Sequence, residues 1–328
     1  MSDRAVEIAG FLAETGWDKA DEMPLPADFS TRRFARFMRS DGKPARAILL
    51  DAENERNNEQ FVAIAGLLRA VDISAPEIYA ADLSRGLILM EDFGSRNVGR
   101  SVDAGADAMP FYRRAMDVLI HLHQRFNPAT AKDMDLPVFG GGLFASQVEL
   151  FLDMYFPFVH GREADRAEGE SFRAAWRSAL KGIEALPQSL MLRDYMLDNL
   201  MDLSGREGLR AMGLLDFQDG GFGPAAYDLA SLCEAVRRDC DENLLDEMID
   251  YYSANLPAPL AREELRRACR VLSAQRHMRV LGIIARLAHE EGRREKLVFA
   301  PRIQNYLDWL LREDALQPVK AWMKANRF

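Results

Sequence analysis

Oxygen-bearing side chains are concentrated in two short stretches of the chain. LRDYMLDN carries Asp194 and Asn199, and LLDFQD carries Asp216 and Asp219. Between them, NLMDL and RAMGLL flank SGREG, which predicts a β-ribbon with both stretches at its base. Phosphoryl transfer from ATP requires a carboxylate that orients the attacking hydroxyl, and an amide and a second carboxylate that hold magnesium. Oxygen ligands suit that hard cation, so these side chains are candidates for this chemistry.

A simpler interpretation is that these side chains cap polar turns, because Asp and Asn commonly satisfy loop backbone groups. A lone DxxxxN pattern would not separate the two interpretations. Here the pattern is followed by the ribbon, by DFQD, by a glycine-rich turn and by YDLA, and this order is far more specific. The combination favours phosphoryl transfer.

The elements that must position these loops begin with a small sheet. MSDRAVEIAGFLAETGWDKA has the pattern of an amphipathic helix. FARFMRS and ARAILLD, joined by the turn DGKP, predict an antiparallel hairpin, and PEIYAAD and GLILMEDFG predict two further strands. Between the two strand pairs, NNEQFVAIAGLLRA places apolar residues at helical spacing. Residues 1–93 are therefore predicted to contain a small sheet and a helix.

From about residue 104 the pattern changes to long helices, interrupted by two short strand pairs. Helical spacing of apolar residues predicts helices at 106–126, 143–156, 164–182, 226–237, 241–255, 263–290 and 301–312. A mainly β part followed by a mainly helical part predicts an α+β fold. The predicted division is a lobe of residues 1–93 and a helical lobe of residues 94–328.

Composition narrows the class of partner. The net charge of −9 and the pI near 5.3 argue against nucleic acid, because proteins that bind it normally carry a basic footprint. No apolar run approaches the roughly 18 residues that a membrane span requires, and the N-terminus lacks the pattern of a signal peptide. Cys233, Cys240 and Cys269 are widely spaced and form no CxxC pair. We expect a cytoplasmic protein that acts on a small molecule and binds neither nucleic acid nor membrane.

RDYMLDN followed by LLDFQDGGFGPAAYDLASL resembles the catalytic and metal loops of the aminoglycoside phosphotransferase and choline kinase relatives, which are distant cousins of protein kinases. The resemblance implies a protein kinase-like two-lobed fold with ATP and magnesium as cofactors. It implies Asp194 as catalytic base, and Asn199 and Asp216 as magnesium ligands. It also implies that Asp228, in YDLASL, is a structural carboxylate that supports the catalytic loop from a helix.

A closer resemblance covers most of the chain. LRDYMLDNLM, GLLDFQD, STRRFARF, AILLDA and AQRHMRVLGIIARLA are similar, in order, to segments of the bacterial anomeric kinases of N-acetylmuramate and N-acetylglucosamine. That resemblance implies transfer of the γ-phosphate of ATP to the anomeric hydroxyl of an amino sugar, in a recycling route for cell-wall precursors. It assigns nucleotide binding to residues 1–93, and the catalytic loop, metal loop and acceptor site to residues 94–328.

The chain departs from the wider family in two places. Leu192 replaces the histidine that usually heads the catalytic motif. This replacement predicts a weaker interaction that supports the loop backbone, while the catalytic base itself is unchanged. The strand ARAILLDA contains no lysine, where kinases generally place the side chain that grips the α- and β-phosphates, and Lys43 lies in the preceding turn. The cell-wall sugar kinases also have an apolar residue at this position, so the absence of a lysine favours membership of that branch of the family.

Two segments are predicted to contact the nucleotide. DFSTRRFARF occupies the position of the glycine-rich phosphate loop but contains no glycine. Hydroxyl and guanidinium groups would therefore replace backbone amides as ligands of the phosphates, and guanidinium groups match phosphate oxygens well. LILMEDFG resembles the hinge strand, in which backbone groups of Glu91 and Phe93 pair with adenine and Met90 backs the ring. The candidates in the phosphate loop are Ser30, Thr31, Arg32 and Arg33, with Arg36 as a further arginine.

The alternatives left open are a kinase for a cationic acceptor, such as an aminoglycoside or choline, and a regulator that binds a nucleotide without catalysis. The first would need an acidic or aromatic pocket in the helical part. The second is suggested by the missing lysine and glycine loop, while the intact Asp194, Asn199 and Asp216 argue against it.

Overall fold

The computed structural model of the 328-residue chain describes residues 3–25, 32–40, 42–53, 57–256 and 261–328. The strands, in chain order, are β1 Asp21–Pro24, β2 Arg33–Met38, β3 Arg46–Asp51, β4 Ile78–Asp82, β5 Leu87–Glu91, β6 Gln188–Met191, β7 Leu200–Asp202, β8 Met212–Leu214 and β9 Gly221–Pro224. The α-helices are α1 Asp3–Glu14, α2 Asn58–Ala70, α3 Val98–Asp103, α4 Met109–Arg125, α5 Gly141–Leu150, α6 Phe156–His160, α7 Arg166–Ala179, α8 Ala226–Cys233, α9 Glu242–Asn255, α10 Arg262–Glu290, α11 Ala300–Leu310 and α12 Gln317–Ala325. The predicted α+β class is confirmed.

The chain divides into two compact units, each built from separate segments. The first unit comprises Met1–Ala106, Ala129–Asp135 and Asp198–Asp219. The second unit comprises Asp107–Pro128, Leu136–Leu197 and Gly220–Phe328. The sequence-based division after residue 93 stays a prediction.

An antiparallel sheet in the order β1-β2-β3-β5-β4 forms the centre of the first unit. The predicted hairpin of β2 and β3 is confirmed. The two central strands, β3 and β5, pair Leu49 with Leu89 and are almost wholly buried, as their unbroken apolar runs require. Phe11 and Leu12 of α1 and Trp17 belong to the same buried cluster as Leu49 and Leu89. Strand β1, with the exposed sequence DEMP, was not predicted because it lacks an alternating apolar pattern.

The predicted ribbon is also confirmed in the first unit, where β7 and β8 pair Leu200 with Leu214. Gly213 lies so close to the ring of Phe93 that a Cβ atom there would be 2.7 Å from the ring carbons. Ser74 forms a parallel bridge to Gly213, and the Leu214 N–H donates to the Ser74 carbonyl at 2.8 Å. The ribbon thus contacts the segment before β4 through Ser74 and the segment after β5 through Phe93.

The second unit is built around α10, which is buried on every face between Ala268 and Met278. Gly282 permits this helix to approach the backbone of Leu150, since a Cβ atom there would lie 2.5 Å from the Leu150 carbonyl group. The helices predicted in this part of the chain are confirmed to within a few residues, except that 143–156 divides. There α5 ends at Leu150 and continues as a π-helical turn, Phe151–Tyr155. Of the helices in the described ranges, none has the length and apolar character needed to cross a membrane.

Candidate active site

The segment after β6, residues 192–196, is named here the Asp194 loop. It lies in the second unit, and Asp228 of α8 holds its backbone. The Leu192 N–H donates to Asp228 Oδ2 at 2.7 Å and the Arg193 N–H donates to Oδ1 at 2.9 Å. The Ser231 hydroxyl donates to the Arg193 carbonyl at 2.8 Å. The predicted support of this loop by Asp228 is confirmed, and it acts on backbone groups, whichever side chain occupies position 192.

The Asp228 carboxylate is fully buried. Burial raises its pKa to about 7, and the Asp194 carboxylate raises it too, while the N–H groups of Leu192 and Arg193 and the charge of Arg193 lower it. A carboxylate accepts both N–H bonds most strongly in its ionised form. The support of the Asp194 loop therefore depends on the ionised form of Asp228, which burial disfavours.

The ends of the β7–β8 ribbon, in the first unit, bring Asn199 and Asp216 together. The Leu215 N–H donates to the Asn199 carbonyl at 3.0 Å, which closes the ribbon. Asn199 Nδ2 donates to Asp216 Oδ2 at 3.2 Å, and Gln218 Nε2 donates to Asp216 Oδ1 at 2.8 Å. Residues 215–219, together with Asn199, are named here the Asp216 loop. Its carboxylate and amide groups are oxygen donors of the type that magnesium prefers.

In the described ranges, no group of three or more His, Cys, Asp or Glu side chains is placed to hold a metal ion. Asp194 belongs to the second unit, and Asn199 and Asp216 belong to the first. Their convergence on one phosphate stays a prediction.

The predicted phosphate loop is described only in part, since Ser30 and Thr31 lie outside the described residues. Arg32 is buried and donates through Nη2 to Asn57 Oδ1. Asn57 Nδ2 donates in turn to Asp219 Oδ1 at 2.8 Å. This chain of hydrogen bonds connects a predicted phosphate ligand with the Asp216 loop. Asn57 was not predicted, because its pattern at the start of α2 is that of an ordinary helix N-terminus.

The two other arginines of this segment face carboxylates. Arg33, whose side chain is 67% exposed, pairs with Asp51 at 2.6 Å. Arg36 forms a bidentate pair with Asp92, at 2.8 and 2.9 Å, and donates to the Gly94 carbonyl at 3.0 Å. The donors of Arg36 are therefore directed at the chain that follows β5.

The predicted hinge strand is the end of β5. Met90 is buried and pairs with Ile48, and its contact with a nucleotide ring stays a prediction. The Glu91 N–H donates to the Glu77 carbonyl at 2.8 Å, so an adenine here would use the Glu91 carbonyl and the Phe93 N–H.

Arg206, in the loop between β7 and β8, connects the ribbon to the predicted hinge. Its guanidinium donates to the Glu91 carboxylate and, at 2.8 Å, to the Ser74 hydroxyl. It also lies 5.3 Å from the centre of the Phe93 ring. Sequence reasoning missed this residue, because an arginine in a polar loop has no distinguishing pattern.

The segment AQRHMRVLGIIARLA, which contains Arg276 and His277, lies in α10. Both are buried in α10, where His277 Nε2 lies 2.8 Å from Glu234 Oε2 and Arg276 donates to the Glu234 carbonyl at 3.3 Å. These contacts lie within the second unit, and in the described residues Arg276 Nε and His277 Nδ1 are buried without a hydrogen-bond partner.

Comparison with known proteins agrees with this picture. A protein of Caulobacter vibrioides named N-acetylmuramate/N-acetylglucosamine kinase is 30% identical, over 98% of this chain and 96% of its own. A protein of the same name from Pseudomonas putida is 29% identical, over 92% of this chain and 88% of its own.

Two solved structures share the fold. A choline/ethanolamine kinase family protein from Mesorhizobium loti has a TM-score of 0.65 and 15% identity, covering 98% of this chain and 99% of that one. The GDP complex of wild-type aminoglycoside 2'-phosphotransferase-IIIa has a TM-score of 0.65 and 13% identity, covering 93% of this chain and 99% of that one. The predicted protein kinase-like fold is confirmed. Because residues 23–266 match the phosphotransferase enzyme family as well, this chain belongs to that family and is a phosphotransferase.

Proposed function

We propose that this phosphotransferase transfers the γ-phosphate of ATP to the anomeric hydroxyl of N-acetylmuramate or N-acetylglucosamine. The observation that carries the proposal is the identity of about 30% to kinases named for these sugars, over nearly the whole chain. The likeness to choline and aminoglycoside enzymes is a likeness of fold and favours no particular acceptor. The product would enter recycling of cell-wall precursors.

Asp194 is the proposed base. Its carboxylate would accept the proton of the sugar hydroxyl and direct the oxygen at the phosphorus. Direct transfer of this kind needs no covalent enzyme intermediate, so the rate would come from positioning and charge neutralisation. The brace by Asp228 supports this role, because it fixes the backbone from which the base projects.

Asn199 and Asp216 are the proposed magnesium ligands. Magnesium commonly takes one or two protein oxygens together with phosphate and water, and it would neutralise phosphate charge when bound. The side chains fit this donor set, since the Asn199 amide already lies against an Asp216 oxygen at 3.2 Å.

The proposed nucleotide site comprises the hinge and the phosphate loop. Glu91 and Phe93 would supply backbone groups to adenine, with Met90 behind the ring. The phosphates would meet a segment that lacks glycine, for which the proposed ligands are Ser30, Thr31, Arg32 and Arg33.

We further propose a cytoplasmic location and a small-molecule partner, without nucleic acid or membrane. The proposed domains are a nucleotide-binding lobe of residues 1–93 and a lobe of residues 94–328 that carries the catalytic loop, the metal loop and the acceptor site.

Product analysis tests the function directly. The protein is incubated with magnesium and ATP and with a panel of N-acetylmuramate, N-acetylglucosamine, kanamycin and choline, and the products are identified by phosphorus NMR. We expect an acid-labile anomeric phosphate of an amino sugar. Phosphorylation of kanamycin or choline alone would refute the proposed acceptor, and no product from any acceptor would refute the proposed kinase.

A further inference from the structure

Arg193 has a backbone conformation that is unusual for its residue type. Its φ is +67°, in the left-handed region that glycine adopts freely and that asparagine and aspartate tolerate better than other side chains. The Asp194 N–H donates to the Leu192 carbonyl at 2.9 Å, so Arg193 is the central residue of a three-residue turn. A turn of this kind with positive φ at its centre is rare and strained.

The surrounding structure imposes this conformation. The N–H of Arg193 is bonded to Asp228, and its carbonyl accepts the Ser231 hydroxyl. Glycine would satisfy the same backbone bonds with less strain, because only the backbone takes part in them. Strained residues held in place by their surroundings concentrate at functional sites. The presence of an arginine at this point therefore indicates a role for its side chain.

The Arg193 side chain is placed on a rigid support. Its guanidinium carbon lies 4.9 Å from the centre of the Phe139 ring, a cation–π contact. Phe139 is buried, and its N–H donates to the Phe222 carbonyl of β9 at 2.6 Å. Since β9 pairs with β6, the strand that leads into the Asp194 loop, the ring and the loop belong to one framework.

We infer that Arg193 is a positioning residue for the proposed base: its guanidinium, seated on Phe139, supplies the positive charge that the Asp228 and Asp194 carboxylates need, and so holds the Asp194 loop in its working geometry. This inference rests on the proposed function, in which Asp194 is the base.

The charges around Asp228 agree with this role. The groups that act on it are the N–H groups of Leu192 and Arg193, the Arg193 guanidinium and the Asp194 carboxylate. Tyr195 faces it as well, and burial raises the pKa of that phenol, so it stays neutral. Arg193 thus supplies the positive side chain in this set, and it lowers the pKa of Asp228. Without it, Asp228 would lose its charge at a higher pH, and the brace would weaken with it.

The test compares Arg193→Gly with Arg193→Lys and with the control Arg327→Gly. Arg327 is also an arginine in the second unit with positive φ, at +58°, near the C-terminus. For Arg193→Gly we expect a Tm equal to or above that of the parent, because the strain is removed. We expect its kcat to fall by about 100-fold, as a displaced catalytic group can cause.

The pH profile and the nucleotide KM separate positioning from folding. In Arg193→Gly the acid limb of kcat should move to higher pH, while KM for ATP changes by less than about 3-fold. Arg193→Lys keeps the charge without the planar contact and should recover part of kcat and of the pH profile. Arg327→Gly should change neither.

One readout needs no substrate. Amide hydrogen exchange at residues 192–194 should be faster in Arg193→Gly than in the parent at about pH 7.5, where Asp228 is ionised mainly in the parent, and closer to it at pH 9. If the parent phosphorylates nothing in the panel, the proposed function fails while this measurement still tests the inference. If kcat, the pH profile and amide exchange in Arg193→Gly equal those of the parent, the inference about Arg193 is overturned. A lowered Tm with activity reduced only in proportion to the folded fraction would overturn it as well.

Discussion

The two loops of the proposed chemistry both pass through left-handed backbone, and they are held in different ways. Arg193 has φ +67° and Asp216 has φ +61°. Aspartate tolerates that region, whereas arginine is strained there. The Asp194 loop is bonded through its backbone to a buried carboxylate, while the exposed Asp216 is held by the amides of Asn199 and Gln218.

The difference corresponds to the two proposed tasks. A base must keep one geometry, and bonds from a buried group to the backbone fix it independently of solvent. A metal ligand must exchange its hydrogen bonds for a cation, and the exposed Asp216 accepts bonds from neutral amides, which a cation can replace. We therefore expect loss of the Asp228 brace to lower both stability and rate. Changes in the Asp216 loop should affect rate and magnesium dependence alone.

Asp194→Asn should have the largest effect on rate. The amide cannot accept the proton, so we expect kcat to fall by about 1,000-fold or more, with ATP binding retained. Initial rates and calorimetric titration with ATP measure the two quantities. The matched control is Asp198→Asn, which removes a nearby acid with no proposed role. Equal rates for the two variants would exclude Asp194 as the base.

Asp216→Asn should come next, because asparagine, like aspartate, tolerates the left-handed backbone at this position. Loss of the charged magnesium ligand is expected to lower kcat by about 100-fold and to raise the magnesium concentration needed for half-maximal rate. The free energy of unfolding should change by less than about 0.5 kcal/mol, because the side chain is exposed. Rates measured across a magnesium titration, with urea unfolding alongside, check both parts. A stability loss with an unchanged magnesium response would reverse the roles assigned to the two loops.

Asp228→Asn tests the buried brace through its pH dependence. The pKa of Asp228 is about 7 in the folded chain, against 3.8 as the ordinary value. Between these values the folded chain binds more protons than the unfolded chain, so the contribution of Asp228 to stability falls as pH rises to 7. The difference in free energy of unfolding between the parent and Asp228→Asn should therefore shrink from pH 5 to pH 7, by about 1 kcal/mol per unit.

Urea unfolding at several pH values measures this difference. At pH 7 the variant should still be less stable, by about 2 kcal/mol, because an asparagine can accept only one of the two N–H bonds. A difference that stays constant from pH 5 to pH 8 would contradict a raised pKa at this residue.

Ser231→Ala should have the smallest effect. It removes the hydroxyl that donates to the Arg193 carbonyl at 2.8 Å. One neutral hydrogen bond contributes about 1 kcal/mol, so Tm should fall by a few degrees and kcat by less than about 5-fold. Thermal unfolding and initial rates check this result. A loss of stability as large as that of Asp228→Asn would mean that the carbonyl, and not the two N–H groups, controls the loop.

Much of the site could be predicted because its residues are close in the chain. Asp194 and Asn199 are five residues apart, and the ribbon that brings Asn199 to Asp216 has apolar strands with a polar turn between them. Asp228 meets the Asp194 loop across 36 residues, and its role was predicted from the resemblance of YDLASL to the family. Partners distant in the chain were missed: Arg206 meets Glu91 across 115 residues, and Asn57 meets Asp219 across 162.

The amino-acid sequence by itself determined the fold class, the helices and central strands, the two loops and the family. Those features follow from the local periodicity of apolar residues and from motifs whose residues lie close together in the chain. Only the tertiary structure decided that Arg193 is strained, that its guanidinium rests on Phe139 and that the Asp228 carboxylate is buried at the base of the loop. Backbone strain, burial and contact between distant segments depend on how the whole chain packs, and no local pattern records them.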